Sequence, residues 1–204
     1  MYLYHLWVRL WHLLNAVIIL ILIFTGISIL FSGKESSFFI MDLSRAKSWH
    51  DVTSKILIGS YILFLAGNLV SENGKYYRIT ENKFISALWK QFRFYIYGRF
   101  KNEKNPFRAS FENKFNPLQK LSYLVIMYAA LPLVIFSGIG MMYPEAVTEK
   151  LFGPDGYYVL DIMHIVMSVL ITLFLAIHIY LGVIASKPTA GLRGIITGYS
   201  ESED

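Results

Sequence analysis

Residues 161–182 read DIMHIVMSVLITLFLAIHIYLG. Asp161 is the one formally charged side chain in the stretch, counting histidine as neutral. A helix rises about 1.5 Å per residue and the hydrocarbon layer is about 30 Å thick, so this length and composition predict a membrane-spanning helix. His164 and His178 stand 14 residues apart in it. At about 3.6 residues per turn that is nearly four turns, so both project from nearly one face, about 21 Å apart along the axis. An ionisable ring at such depth is costly and marks a functional position.

Three further stretches have the same character. The predicted spans are about 10–31, 50–70, 121–142 and 157–185. Pro132 falls inside the third and predicts a kink, which neighbouring helices can tolerate. Arg9 ahead of a long apolar run, with no small-x-small cleavage site after it, reads as a retained anchor rather than a signal peptide. Of the 204 residues, 55% are hydrophobic and only 16% charged, against roughly 25% charged in soluble domains. The expected fold is all-α: one integral membrane four-helix bundle over residues 1–204, with no internal repeat or low-complexity segment. Cysteine is absent, which excludes disulfides, cysteine-ligated iron–sulfur clusters and covalent c-type haem.

The net charge of +5 is unevenly placed. The 71–120 connection carries eleven Lys and Arg, the 32–49 loop three and the 143–156 loop one. By the positive-inside rule that connection and both termini are cytoplasmic. The surplus is therefore a topology signal, and a nucleic-acid partner is not expected. Within the connection Phe84, Ile85, Leu88, Trp89, Phe92, Tyr95 and Ile96 recur at helical spacing, with Lys90, Arg93 and Arg99 elsewhere. This pattern suits an amphipathic helix on the membrane lipid surface or one packed on the bundle ends.

Orientation sorts the histidines. His5 precedes the first span and faces water. His12 opens the first helix at its inner end, and His50 opens the second at its outer end. The fourth helix runs inward, so His164 is outer and His178 inner. Two levels result: His12 with His178, and His50 with His164. Opposed imidazoles from facing helices suit bis-histidine ligation of haem iron, with both axial positions filled. Two histidines per level leave zinc short of its usual four ligands, and a proton relay has no need of matched pairs. Gly26, Gly59, Gly67, Gly138 and Gly140 could make room for a porphyrin, or simply allow close helix packing. Gly26 is preferred because it lies 14 residues after His12, on the same face. Arg9 and Lys55 could pair with haem propionates; the alternatives are a positive-inside anchor for Arg9 and snorkelling for Lys55.

RLWHLLNAV at 9–17 with FTG at 24–26, GNLVSENGKYYRI at 67–79 and KFNPLQKLSY at 114–123 complete a pattern with the fourth-helix sequence. Over nearly its whole length the chain resembles the bacterial di-haem cytochrome b subunits of formate dehydrogenase, nickel–iron hydrogenase and thiosulfate reductase, the thiosulfate-reductase type most of all. The resemblance implies two non-covalent haem b groups on His12/His178 and His50/His164. It implies electron transfer in the bacterial inner membrane between a periplasmic partner and a quinone, menaquinone or ubiquinone, near the cytoplasmic haem. The partner classes it implies are an iron–sulfur, molybdopterin, hydrogenase or multihaem cytochrome subunit. It also implies that Asn116, and Leu118 through its backbone, line the quinone site; small residues follow this Asn in some relatives, and Asn116-Pro117 also reads as a helix cap. The 32–49 and 143–156 loops, with Tyr143, Pro144, Glu145, Glu149 and Asp155, are docking candidates by position. The competing class is a haem-free membrane anchor or small proton-linked transporter.

Overall fold

The computed structural model describes residues 2–32, 41–79, 83–107, 114–147, 155–184 and 190–199. Glu149 and residues 33–40, among the docking candidates, lie outside these ranges. The described residues are almost wholly helical: α1 (Leu6–Leu30), α2 (Leu43–Val70), α3 (Phe84–Ile96), α4 (Pro117–Val125), α5 (Leu131–Met142), α6 (Gly156–Ile184) and α7 (Ala190–Thr197). Four stretches are long and apolar enough to cross a membrane: Leu6–Leu30, Leu43–Val70, Pro117–Met142 and Gly156–Gly182.

Three helix starts precede the sequence expectation, α4 at Pro117 rather than near residue 121 among them. Helix α2 begins at Leu43 rather than near residue 50, because the Asp42 side chain accepts from Arg45 N and caps a polar first turn. Helix α1 begins at Leu6. His12 and His50 therefore lie one to two turns inside their helices rather than at the openings.

The third span does not simply bend at Pro132. A π-helical turn, Ile126–Ala130, joins α4 to α5, and Leu131 N–H donates to Ile126 O. Met127 O is thereby deprived of its usual donor. The next donor in the π register would be residue 132, a proline with no N–H. Tyr61 Oη–H on α2 donates to Met127 O at 2.9 Å and fills the gap.

The helices form two hairpins, α1 with α2 and α5 with α6, and contacts between the hairpins are sparse among the described residues. Trp11 Nε1–H donates to Ser60 O, and Asn15 Nδ2–H to Ser60 Oγ, tying the first hairpin. Ile18, Leu57, Ile126, Ala130, Leu131, Val134 and Ile171 form the main core. Ile171 lies seven residues from both His164 and His178, about 10 Å of rise either way. The core is thus a plug between two histidine levels.

Both chain ends close over one end of the bundle. Leu3 and Tyr4 N–H donate to Gly198 O. Gly198 follows α7 with φ +83°, and its N–H reaches back to Gly194 O, a glycine helix stop. Helix α3 packs Gln91 and Phe94 inward and leaves Ile85, Trp89, Phe92 and Ile96 exposed. One face thus packs inward, as in the bundle-end arrangement, and the other is an exposed apolar stripe of the kind suited to lipid.

Candidate functional site

Residues distant in sequence meet at the His50/His164 level. The ring centres are 6.2 Å apart with planes at 66°. Thr25 Oγ1 on α1 lies 2.9 Å from His50 Nδ1. The Thr25 hydroxyl gives its own hydrogen to Ile21 O at 2.8 Å, so its oxygen accepts from His50 Nδ1–H. On the other hairpin Ser137 Oγ donates to Leu133 O at 2.8 Å and lies 3.1 Å from His164 Nδ1. Val134 O, which can only accept, is also 3.1 Å from that nitrogen. Val134 O requires the Nδ1–H tautomer at His164, and the Thr25 hydroxyl bonded to Ile21 O favours the same tautomer at His50, which leaves Nε2 with a free lone pair. A ring nitrogen in this state is available to a metal, and the hydrogen bond on the other nitrogen orients it.

The His12/His178 level is built differently. Its ring centres are 6.1 Å apart with planes at 52°. Phe174, one turn before His178, stacks on that ring at 5.6 Å and 22°. His12 Nδ1 is buried with no hydrogen-bond partner among the described residues. Packing rather than hydrogen bonding sets these rings.

The remaining sequence candidates divide. Gly26 sits at the His50 level: a Cβ there would lie 3.5 Å from His50 Cε1. Gly138 stands against His164 in the same way, at 3.2 Å. Gly67 and Gly140 instead admit Trp7 and Leu160, and Gly59 has no neighbour within 4 Å among the described residues. Arg9 Nε–H donates to Ile195 O near the end of α7 at 2.6 Å, and Lys55 pairs with Asp51 at 2.8 Å. Asn116 is the N-cap of α4 in a reciprocal capping box with Gln119, and Pro117 opens the helix. Its Nδ2–H donates to Tyr95 Oη at 3.1 Å, while Leu118 O accepts from Ser122 Oγ. Beside them Lys114 is buried, with Nζ 4.1 Å from the Tyr76 ring centre. Burial, and then the charge of Lys75, pull its ammonium below the usual lysine range. Burial pushes the neighbouring Tyr77 hydroxyl well above the usual tyrosine range. Tyr77, Phe115, Tyr123, Phe174 and His178 form a run of ring contacts from this corner to the histidine.

Thr25, Ser137 and Phe174 were not singled out by sequence reasoning. The available signal was FTG at 24–26 against FSG at 136–138.

The family model for prokaryotic cytochrome b561 matches residues 3–198. The chain belongs to the prokaryotic cytochrome b561 family. It is also 33% identical over 201 residues to "Putative cytochrome YdhU" of Escherichia coli (strain K12), covering 97% of this chain and 74% of that protein. No solved structure matches it. Membership makes the protein a membrane b-type cytochrome of electron transfer with haem b as its cofactor, which sets aside the haem-free anchor and the transporter.

The histidine geometry fits that cofactor. An imidazole nitrogen bonds a transition metal at about 2 Å, and its ring centre lies about 1 Å farther, so two rings on opposite sides of one ion stand about 6 Å apart. Both pairs have that spacing, and rings on a common axis are free to be rotated relative to each other. Among the described residues no group of three or more His, Asp or Glu side chains gathers to hold a metal. Two-ligand sets suit a metal whose other four ligands come from a porphyrin.

Proposed function

We propose that this cytochrome is a di-haem subunit of the thiosulfate-reductase type, carrying electrons across the bacterial inner membrane between a periplasmic redox partner and a quinone. The observation that carries the reading is the pair of imidazole couples, 6.1 and 6.2 Å between ring centres, one on each side of the apolar core. His12 and His178 would hold one haem, His50 and His164 the other. Bound there, haem b would supply a one-electron carrier.

The eleven Lys and Arg of the 71–120 connection favour a cytoplasmic location for that connection, for both termini and for the His12/His178 level. A quinone site at that level draws on Asn116, the Leu118 backbone and the adjoining Tyr77–Phe115–Tyr123 rings. These groups offer an amide and apolar ring faces, suited to a quinone head with a polar carbonyl and a flat ring. Arg9 is on the same level to neutralise propionates. A periplasmic partner of the iron–sulfur, molybdopterin, hydrogenase or multihaem class would meet the opposite end, where Tyr143 and Glu145 are exposed. Electrons moving inward to the quinone would work against about 2.3 kcal/mol per charge per 100 mV of membrane potential.

Pyridine haemochrome analysis of the purified chain should give two haems per polypeptide, and a menaquinol or ubiquinol analogue should reduce them. One haem or fewer rejects the di-haem reading. Two haems that no quinol reduces reject the quinone site alone.

A further inference from the structure

Phe24-Thr25-Gly26 on α1 and Phe136-Ser137-Gly138 on α5 are the same device used twice. Each hydroxyl is buried, at 2% and 0% exposure. Each returns its hydrogen to the carbonyl four residues earlier, Ile21 O or Leu133 O, at 2.8 Å. Each thereby turns its oxygen into an acceptor for the Nδ1 of a histidine on the next helix of its hairpin, 25 residues on for Thr25 and 27 for Ser137. The glycine that follows lies beside the imidazole in both: a Cβ at Gly138 would stand a tight 3.2 Å from His164 Cε1, and one at Gly26 would meet His50 Cε1 at ordinary contact, 3.5 Å. The two hairpins thus present their outer histidines through matched cradles. Nothing comparable surrounds His12, whose Nδ1 has no partner among the described residues.

We propose that these hydroxyl–glycine cradles are positioning elements that set the orientation and donor strength of His50 and His164, and that they make the haem held there the lower-potential one. The inference rests on the di-haem reading. An Nδ1–H that donates a hydrogen bond leaves more electron density on Nε2, and a stronger donor stabilises oxidised iron over reduced iron. Two acceptors, Ser137 Oγ and Val134 O, act on His164 and one on His50. At the other level a stacked phenyl ring accepts no such hydrogen bond.

The test uses the full chain. In a His178→Ala background, which isolates the His50/His164 haem, Thr25→Val and Ser137→Ala are compared by optical redox titration and low-temperature EPR. Each should retain haem and raise the midpoint, so that reduced over oxidised iron at fixed potential grows about tenfold, equivalent to 59 mV for one electron. The low-spin EPR signal should shift as the ring plane is released. Thr25→Ser should restore the parent values. An unmoved midpoint and signal when Thr25→Val and Ser137→Ala are combined in that background, or Thr25→Ser behaving like Thr25→Val, overturns the proposal. In chain prepared without haem, 15N NMR of labelled histidine should find His50 and His164 protonated at Nδ1; Thr25→Val should lose that preference at His50, whereas His164 should keep it in Ser137→Ala through Val134 O. Protonation at Nε2 in the parent overturns the cradles irrespective of haem. A parent without haem but with Nδ1–H tautomers instead rejects the di-haem reading and leaves the cradles standing.

Discussion

The two histidine levels have nearly equal ring spacing and unlike surroundings. At His50/His164 the rings meet hydrogen-bonding groups, two hydroxyls and a carbonyl, with a glycine beside each ring. At His12/His178 the identified contact is a stacked phenyl ring, and one buried nitrogen has no partner among the described residues. A hydrogen bond fixes tautomer and rotation together, whereas an aromatic stack limits tilt and leaves the tautomer open. The first level is therefore prepared for a ligand before it arrives. The second is shaped in part by what occupies it and by the tyrosine-rich corner reached through Phe174 and Tyr123. A rigid level at one end and an adaptable one at the other suit the proposed arrangement of a protein partner on one side and a quinone on the other.

The largest expected effect separates the levels outright. His164→Ala should reduce the haem content from two to one, removing the haem shared with His50, and His178→Ala should remove the other. The core plug, centred seven residues from each histidine on α6, isolates the losses. Haem quantitation with low-temperature spectra of the α band would check this. Loss of both haems from either variant would show that the levels are not independent.

Next in size is Tyr61→Phe, which acts between the levels. It leaves Met127 O without the Tyr61 donor at the π turn. An unsatisfied carbonyl in a dry interior costs roughly 1–2 kcal/mol. Thermal unfolding in detergent should show that loss, with haem content falling equally at both levels. A loss confined to one level would mean that the π turn serves that site rather than the plug.

The outline of this contrast is legible in the sequence, and its substance is not. Four spans follow from length and apolarity, and the pairing of histidines from the 14-residue interval in α6. Asn116-Pro117-Leu118-Gln119 carries the full signature of a helix start, N-cap, proline at the first position and a reciprocating glutamine. The start of α2 was misplaced because Ser44, Arg45, Lys47 and Ser48 look like a loop, while its determinant is the cap at Asp42. The cradles escaped because threonine, serine and glycine are ordinary in membrane helices. Only the folded hairpins put Thr25 against His50 and Ser137 against His164. The π turn escaped because Pro132 predicts some distortion but not which carbonyl is abandoned, and Tyr61 is 66 residues from Met127.

A smaller effect sharpens the rigid level from within. Gly138→Ala places a methyl 3.2 Å from His164 Cε1, closer than such contacts ordinarily run, whereas Gly26→Ala places one at ordinary contact, 3.5 Å from His50 Cε1. EPR of the His50/His164 haem should shift clearly in the first variant and little in the second, with the His12/His178 signal unmoved in both. Equal shifts would mean that the second ring is as tightly cradled as the first.

The smallest effect belongs to the adaptable level. Phe174→Leu keeps an apolar side chain of similar reach but removes the stack on His178, worth about 0.5–1.5 kcal/mol for an aromatic pair. His178 keeps its place on α6, so haem content should stay at two. Without a flat neighbour its ring gains freedom to rotate. The expected sign is a broadened low-spin EPR signal from the His12/His178 haem and an unchanged one from His50/His164. Phe174 also touches Tyr123 at 6.4 Å between ring centres, so the same variant loosens the link between His178 and the corner holding Asn116 and Tyr95. Quinol reduction of this haem should slow severalfold if that corner receives the quinone. A sharp, unmoved signal from the His12/His178 haem would show that something other than the stack fixes His178, and the contrast between a hydrogen-bonded and a packed level would fall.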